Sequence, residues 1–453
     1  MKNITLFGII FLSLVFARRD CLQHAPIDVL GRTMRPDKDT LAISPSGHFY
    51  IHFDTTGNAA PDLTDSDANG VPDYVDEVGI IADYAHHVLV DIMEWEEEPF
   101  DGEGGYDIYI MSYAAGVYGF NYKDIGNTSY LQIDNDYVGY NSKFDLAPIE
   151  IMRITVGHEY FHGIQWGYEE NLGSNAYFYE MTSMWFEDVL IPDGNDYLDG
   201  WADDLLDDPT ADFDNTGNGY ELALFGHYLS SFLDPKGIDT AKNSTIIREM
   251  WERFGDTNSS ALSAAEYVLD GENYSLTFIE AWTDFISRNL YNGIDESFYY
   301  YGDQALIDPI TTNVVLLDDP QEFVLDLDNK SVAIQSYQLG DLNDLLYIHH
   351  STDEYLGRIS IVSTSDNNDI FWGTDTSGLE LSSISKIHFI YGSENAAASV
   401  TVNLDVNSEG VYGCTDPSAC NYDETATADD GSCEYEVDCA GECGGDAEVD
   451  CAG

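Results

Sequence analysis

Between residues 148 and 168 the apolar positions fall at helical spacing: Ile149, Met152, Val156, Phe161 and Ile164 recur every three to four residues and predict a long, half-buried helix. Pro148 suits its first position, and Asp145 is available as a cap or first-turn acid. The Gly167 to Gly173 break ends it, and a second helical pattern over 176–188 comes next, rich in aromatic and apolar side chains. Upstream, a helix is predicted from Tyr74 to about Trp95. Alternation then marks strands at 106–111 and 129–134, joined by a Gly/Asn-rich connection. Downstream, 220–232, 246–254, 261–269 and 275–291 read as helices of a lower lobe. From about Tyr301 short β runs at 314–317, 323–327, 331–337, 358–362, 387–390 and 398–404 alternate with Asp/Asn/Ser/Gly turns, the spacing of a β-sandwich accessory domain. The predicted fold class is α+β.

The helix at 148–168 carries the most specific chemistry. His158 and His162 lie at i and i+4, so their imidazoles share a helix face and can hold one zinc ion. Glu159 beside the first can then take a proton from a metal-activated water. A metzincin would need glycine three residues and histidine six residues after His162, where the chain has Gln165 and Tyr168, so that class is excluded. Glu180 is the preferred third ligand, because a carboxylate among aromatic and apolar neighbours is costly to bury and a metal would explain it. Glu169 and Glu170 compete but lie too close to His162 to fold back easily. Glu187 and Asp188 read as a solvated pair or as support behind the ligands.

A second metal signal lies upstream. Asp65, Asp67, Asn69, Asp73 and Asp76 occupy positions 1, 3, 5, 9 and 12 of an EF-hand-type loop, with Gly70 at the sharp turn and Val71 offering its carbonyl. Oxygen-only ligands at that spacing suit calcium, which would brace the start of the helix near Tyr74.

HEYFHGIQ, trailed by YEMTSMWFED, resembles the gluzincin group, in which a Glu about one helix after HExxH completes the zinc site. More closely, the chain is similar to a family of secreted bacterial metallopeptidase-like proteins that also carry HFDTTG (52–57), NGVPDYVD (69–76), YDIYI (106–110) and a Tyr-rich helix (220–232), a resemblance spanning roughly residues 45–300. It implies a zincin-like catalytic domain, with a mixed sheet over the active-site helix and a helical lower lobe. His158, His162 and Glu180 would be its zinc ligands and Glu159 its general base. By the same resemblance Tyr220, or His227 less favourably, would donate a hydrogen bond to the reacting oxyanion. Strand 129–134, just before the active-site helix, is the candidate edge along which an extended peptide lies. The calcium loop resembles dockerin and thrombospondin-type loops, which end in Asp.

Composition adds the setting. Lys2, the apolar run 4–16 and Ala17 read as a signal peptide cut after Ala17, and no later stretch is long enough to cross a membrane. The 453-residue chain has a formal net charge of -66, which argues against nucleic acid or anionic membrane as partners. Six of the seven cysteines fall at or after Cys414, and 437–441 returns as 449–453. This acidic Cys-rich repeat region resembles those near the ends of secreted bacterial proteins, and its cysteines are expected to pair. The repeat is cut short, so the chain reads as a fragment, with cell-surface attachment expected through a region beyond Gly453. The expected organisation is a signal peptide (1–17), a metallopeptidase domain that includes the calcium loop 65–76 (18–300), a β-sandwich (301–408) and the Cys-rich region (409–453); 18 to about 45 has the position of a short pro-region but no cysteine-switch motif or cleavage site. Two functions compete: a secreted zinc endopeptidase acting on protein or peptide substrates, and an inactive, calcium-stabilised surface or adhesion protein on a zincin scaffold.

Overall fold

The computed structural model describes residues 22–24 and 34–444, apart from 101, 103, 141–142, 208, 210–212, 214–218, 258, 319–320, 328–329, 340–344, 351–355, 365–366, 373–378, 395–397, 407–412, 427–430 and 438–442. The signal peptide, Cys21, Cys439 and Cys451 lie outside the described residues. The chain divides into two units, Met1–Asp199 with Thr240–Asn258, and Gly200–Asp239 with Ser259–Gly453. The fold is α+β with a disulfide-bonded tail.

The first unit is built on a mixed sheet. Its strands are β1 (Leu22–His24), β2 (Thr40–Ile43), β3 (Phe49–Phe53), β4 (Tyr106–Met111), β5 (Gly119–Lys123) and β6 (Ser129–Asp134), in spatial order β1-β5-β6-β4-β3-β2. The helices are α1 (Asp73–His86), continued by a π-helical turn His87–Ile92, α2 (Pro148–Tyr168) and α3 (Ala176–Leu190), with a further helix Ile246–Thr257. In β3, Phe49, Ile51 and Phe53 turn inward while Tyr50 and His52 stay half-buried, the alternation of a strand with one covered face.

Helix α2 packs against β5, β6, α1, α3 and Ile246–Thr257. Every residue from Ile154 to Trp166 is buried, so it is an interior helix and not the half-buried one its spacing suggests. Its cap also differs from expectation: Ala147 occupies that position, with its amide donating to Glu150 Oε2 at 2.7 Å, while Asp145 sits in a left-handed turn at φ 53°.

Strand β6 corrects a second expectation. It is not an edge: it pairs antiparallel with β5 and parallel with β4, and all six of its residues are buried. The strand beyond it is β5, within what reads in sequence as a Gly/Asn-rich connection. Leu22–His24 pairs in parallel with its outer side, along Asn121–Lys123.

In the second unit, strands β7 (Val314–Leu317), β8 (Gln321–Leu327), β9 (Val332–Leu339), β10 (Leu345–His350), β11 (Leu356–Ser363), β12 (Asp369–Trp372), β13 (Leu379–Glu380), β14 (Ile384–Gly392) and β15 (Ala398–Val406) form two sheets, β13-β10-β15-β8 and β12-β11-β14-β9-β7. Phe323, Leu346, Val402, Tyr337, Ile359 and Phe389, drawn from both sheets, share one core, as in a β-sandwich. Helix Phe278–Asn289 packs on β14 and β11, where Asp284 is clasped by Arg288 and by Arg358 of β11 and accepts the Tyr228 hydroxyl at 2.8 Å. The expected helix at 220–232 is instead a 3-10 turn Tyr220–Leu222, a short helix Ala223–His227 and a π turn Tyr228–Leu233. In the tail Cys414 is bonded to Cys433 and Cys420 to Cys443.

Candidate metal centre

The i, i+4 spacing on α2 brings His158 and His162 Nε2 to 3.1 Å of one another, on the flank that meets α3. Glu180 enters from the first turns of α3, with Oε2 at 3.2 Å from His158 Nε2 and 3.3 Å from His162 Nε2. These three atoms are the corners of a nearly equilateral triangle. Zinc bonds of ~2.0–2.1 Å at tetrahedral angles require ligand atoms about 3.3 Å apart, so the triangle has the dimensions of one face of a zinc tetrahedron.

The far sides of the ligands are tied down. His158 Nδ1 lies 2.7 Å from Glu187 Oε1, and His162 Nδ1 lies 2.7 Å from Gln165 Oε1 and 3.2 Å from Ser183 Oγ. Gln165 in turn donates through Nε2 to Tyr179 O at 3.1 Å and Thr182 Oγ1 at 2.9 Å, which locks its carbonyl toward the imidazole. With each Nδ1–H committed to an oxygen acceptor, each Nε2 presents a lone pair to the shared point. Two lone pairs and a carboxylate oxygen at this separation repel unless a cation lies among them, so the donor set fits a borderline divalent metal such as zinc. Burial by itself raises the Glu180 carboxyl, but imidazoles protonated at Nε2 stand in for that cation, and the His162 charge with hydrogen bonds from both rings outweighs burial and holds the group down at about 2. It is therefore ionised across the neutral range, as a ligand must be.

The sequence expectation for Glu187 and Asp188 is half corrected. Both are buried, not solvated, and Glu187 supports His158 from behind. Glu187→Gln is expected to lower zinc affinity ~10- to 100-fold without unfolding the protein, because it weakens the acceptor that orients and polarises the ring. Competition against a zinc chelator checks it; unchanged affinity would sink the assignment.

Glu159 is fully buried. Burial chiefly, with a smaller contribution from the Glu159 carboxylate, raises the Tyr113 and Tyr122 phenols, so both stay protonated. Strand β5 runs directly behind it. A Cβ at Gly119 would stand 3.2 Å from Glu159 Cγ, 2.8 Å from Thr155 Cγ2 and 2.9 Å from Gln132 O, so only glycine lets strand and helix approach this closely. Asn121 Nδ2 donates to Glu159 O at 2.8 Å while its Oδ1 accepts from Trp166 Nε1 at 2.8 Å, stitching β5 to α2 on both sides of the HExxH segment.

Tyr220 and His227 belong to the second unit and are both inside it. His227 is stacked on Tyr301 with ring centroids 4.4 Å apart, and burial pushes its imidazole down to about 3, so it is neutral.

The acidic loop closes as its spacing implies. Gly70 has φ 97°, and the Asn69 and Gly70 amides donate back to Asp65 at 3.2 and 3.0 Å. The Val71 amide donates to Asn69 Oδ1 at 2.7 Å, and Asn69 Nδ2 reaches Asp76 at 2.7 Å. Asp65, Asp67 and Asp73 bring one carboxylate oxygen each within 4.8 Å of one another, all exposed, and Asp73 opens α1. An oxygen-only cage of this kind fits a hard cation such as calcium.

No protein-family model matches the chain, and no curated protein matches it. Among solved structures, PliG from Salmonella Typhimurium, a periplasmic inhibitor of g-type lysozyme, aligns with 21% of this chain and 100% of its own at 9% identity and a TM-score of 0.18. A mutant of the Escherichia coli PliG covers 21% of this chain and 97% of its own at 7% identity and a TM-score of 0.17. Likenesses of this size carry no argument about fold or function.

Proposed function

We propose that the protein is a secreted zinc-dependent peptidase, with His158, His162 and Glu180 holding the metal and Glu159 acting as general base. The observation that carries this reading is the triangle of Nε2, Nε2 and Oε2 at 3.1–3.3 Å with its supporting shell already in place. Bound there, zinc would supply Lewis acidity toward a peptide carbonyl and lower the pKa of a water. Glu159, one residue from His158 and screened from bulk solvent, takes a proton from the attacking water and passes it to the departing amine. An extended peptide would lie along β5, the strand stitched to Glu159 by Asn121, and not along the interior β6. Leu22–His24 holds that position in the structure and would have to leave it, which suits a short pro-region early in the chain.

The two disulfides suit an oxidising compartment, and no helix among the described residues is long and apolar enough to cross a membrane. The adhesion reading gives the buried Glu159 carboxylate no proton to move, whereas the peptidase reading gives it the general-base role. Metal analysis of the purified protein together with casein cleavage tests the peptidase reading. Zinc-loaded protein, freed of residues before about 45, that cleaves no protein substrate would end it.

Calcium at the 65–76 loop is proposed as a structural partner of this domain. Chelating calcium is expected to lower the melting temperature by roughly 5–10 °C while zinc stays bound, since the ion would brace the loop against the first turn of α1. A melting curve indifferent to millimolar calcium would return the loop to an ordinary turn.

A further inference from the structure

Tyr160 stands two positions after His158, so its side chain leaves α2 about 200° around the axis, away from the zinc triangle. There it enters a second cluster of metal-ligating groups. His48 stands at the start of β3, His86 ends α1, and Glu98 lies in the segment beyond the π-helical turn. His48 Nε2 is 2.6 Å from Glu98 Oε1, and the Tyr160 hydroxyl donates to Glu98 Oε2 at 2.6 Å while standing 2.7 Å from His86 Nδ1. The imidazoles face each other with centroids 4.1 Å apart and planes tilted by 37°. One ligand atom from each of His48, His86 and Glu98 lies within 4.8 Å of the other two.

A hydrogen-bonded relay alone does not account for all of this. It uses one nitrogen of each ring, His48 Nε2 and His86 Nδ1. It also leaves unexplained why two imidazoles from separate elements are brought together beside one carboxylate. The two rings are partly open to solvent, at 29% and 18% side-chain exposure, whereas Glu98 is at 6%. Glu97, Asp83 and Asp91 add negative potential around the rings. Two imidazoles and a carboxylate are the donors that borderline first-row cations select, and they are poor ligands for calcium or magnesium.

We propose that His48, His86 and Glu98 form a second, solvent-accessible site for a divalent transition cation such as zinc or cobalt. Occupancy replaces the Tyr160 contact to His86 or Glu98 with a metal bond and ties β3, α1 and the segment at Glu98 to one another. The site stands independently of the peptidase reading, because none of its ligands belongs to the first triangle.

The test is cobalt titration of the full, metal-stripped chain, with millimolar calcium present to fill the oxygen-only loop, and with visible absorption and metal analysis as readouts. Wild type is expected to bind about two equivalents, the second more weakly. His48→Gln and His86→Gln should each reduce this to about one, as should His158→Ala/His162→Ala through the other site. In wild type, carbethoxylation of His48 and His86, read by mass spectrometry, should fall at least several-fold when the second equivalent is added. That measurement decides the matter even if a variant misfolds. A single equivalent lost with His158 and His162, or a second one that persists in both glutamine variants and leaves His48 and His86 fully reactive, overturns the proposal. A single equivalent lost with His48 would uphold it and sink the first site instead.

Discussion

Glu159→Gln is expected to retain zinc and fold while losing peptide cleavage by ~100- to 10,000-fold, the range typical for removal of a general acid–base group. The amide matches the carboxylate in shape. That matters because the side chain has no room to change: it is fully buried, and β5 approaches so closely that even a Cβ at Gly119 would press on its Cγ. Glu159→Ala would therefore confound lost chemistry with a repacked helix–strand contact, whereas the glutamine isolates the proton acceptor. The expected signature is unchanged zinc content, a melting temperature within a few degrees of wild type, and a fall in kcat with KM largely kept. A glutamine variant that cuts as fast as wild type removes Glu159 from the reaction. One that loses zinc would instead make it a structural support of the metal.

How much of the site is legible in the sequence depends on what each residue does. His158, His162 and Glu180 can be named because a metal site of the kind proposed would impose a residue type and a helical period. Glu187 is within reach by the same reasoning: seven residues after Glu180, it returns to the same face of α3 and so faces the same histidines. Gln165 and Ser183 are not, since amides and hydroxyls at a helix–helix seam carry no pattern of their own. Strand β5 is hidden for a more instructive reason. Its inward residues are Gly119, Asn121 and Lys123, each suited to particular neighbours: close approach to Glu159, the bridge between Glu159 O and Trp166, and a cation over the Trp166 ring 4.8 Å from its centroid. Its outward residues, Phe120 and Tyr122, are aromatic, so the usual apolar-in, polar-out alternation is inverted and reads as loop. With β5 unseen, the edge falls to β6, whose apolar alternation is that of a strand but whose burial on both faces only the pairing reveals. In the second unit the β-sandwich is legible from regular turn spacing, while the π turn at Tyr228–Leu233 interrupts a run of apolar residues that periodicity reads as one continuous helix.

The ligand variants are expected to separate what holds the metal from what only orients its holders. His158→Ala, His162→Ala and Glu180→Ala should each lower zinc occupancy of the triangle from about one equivalent to near zero after dialysis, a loss beyond the ~10- to 100-fold that Glu187→Gln produces. Glu180→Ala carries the sharpest argument. Its carboxylate is the one negative charge in the triangle, and without it two Nε2 lone pairs 3.1 Å apart face a cation with nothing to balance it. The same chemistry fixes the sign of the pH dependence. The imidazoles ligate only when deprotonated at Nε2, so zinc should be held at neutral pH and released on acidification, as protons compete for the same nitrogens. Glu180 does not contribute to that release until far lower, because its carboxyl is held down at about 2. Zinc content followed against pH should thus fall on acidification in wild type. Full zinc in Glu180→Ala, with loss in Glu187→Ala, would exchange the roles of the two glutamates and with them the geometry on which the hydrolytic reading stands.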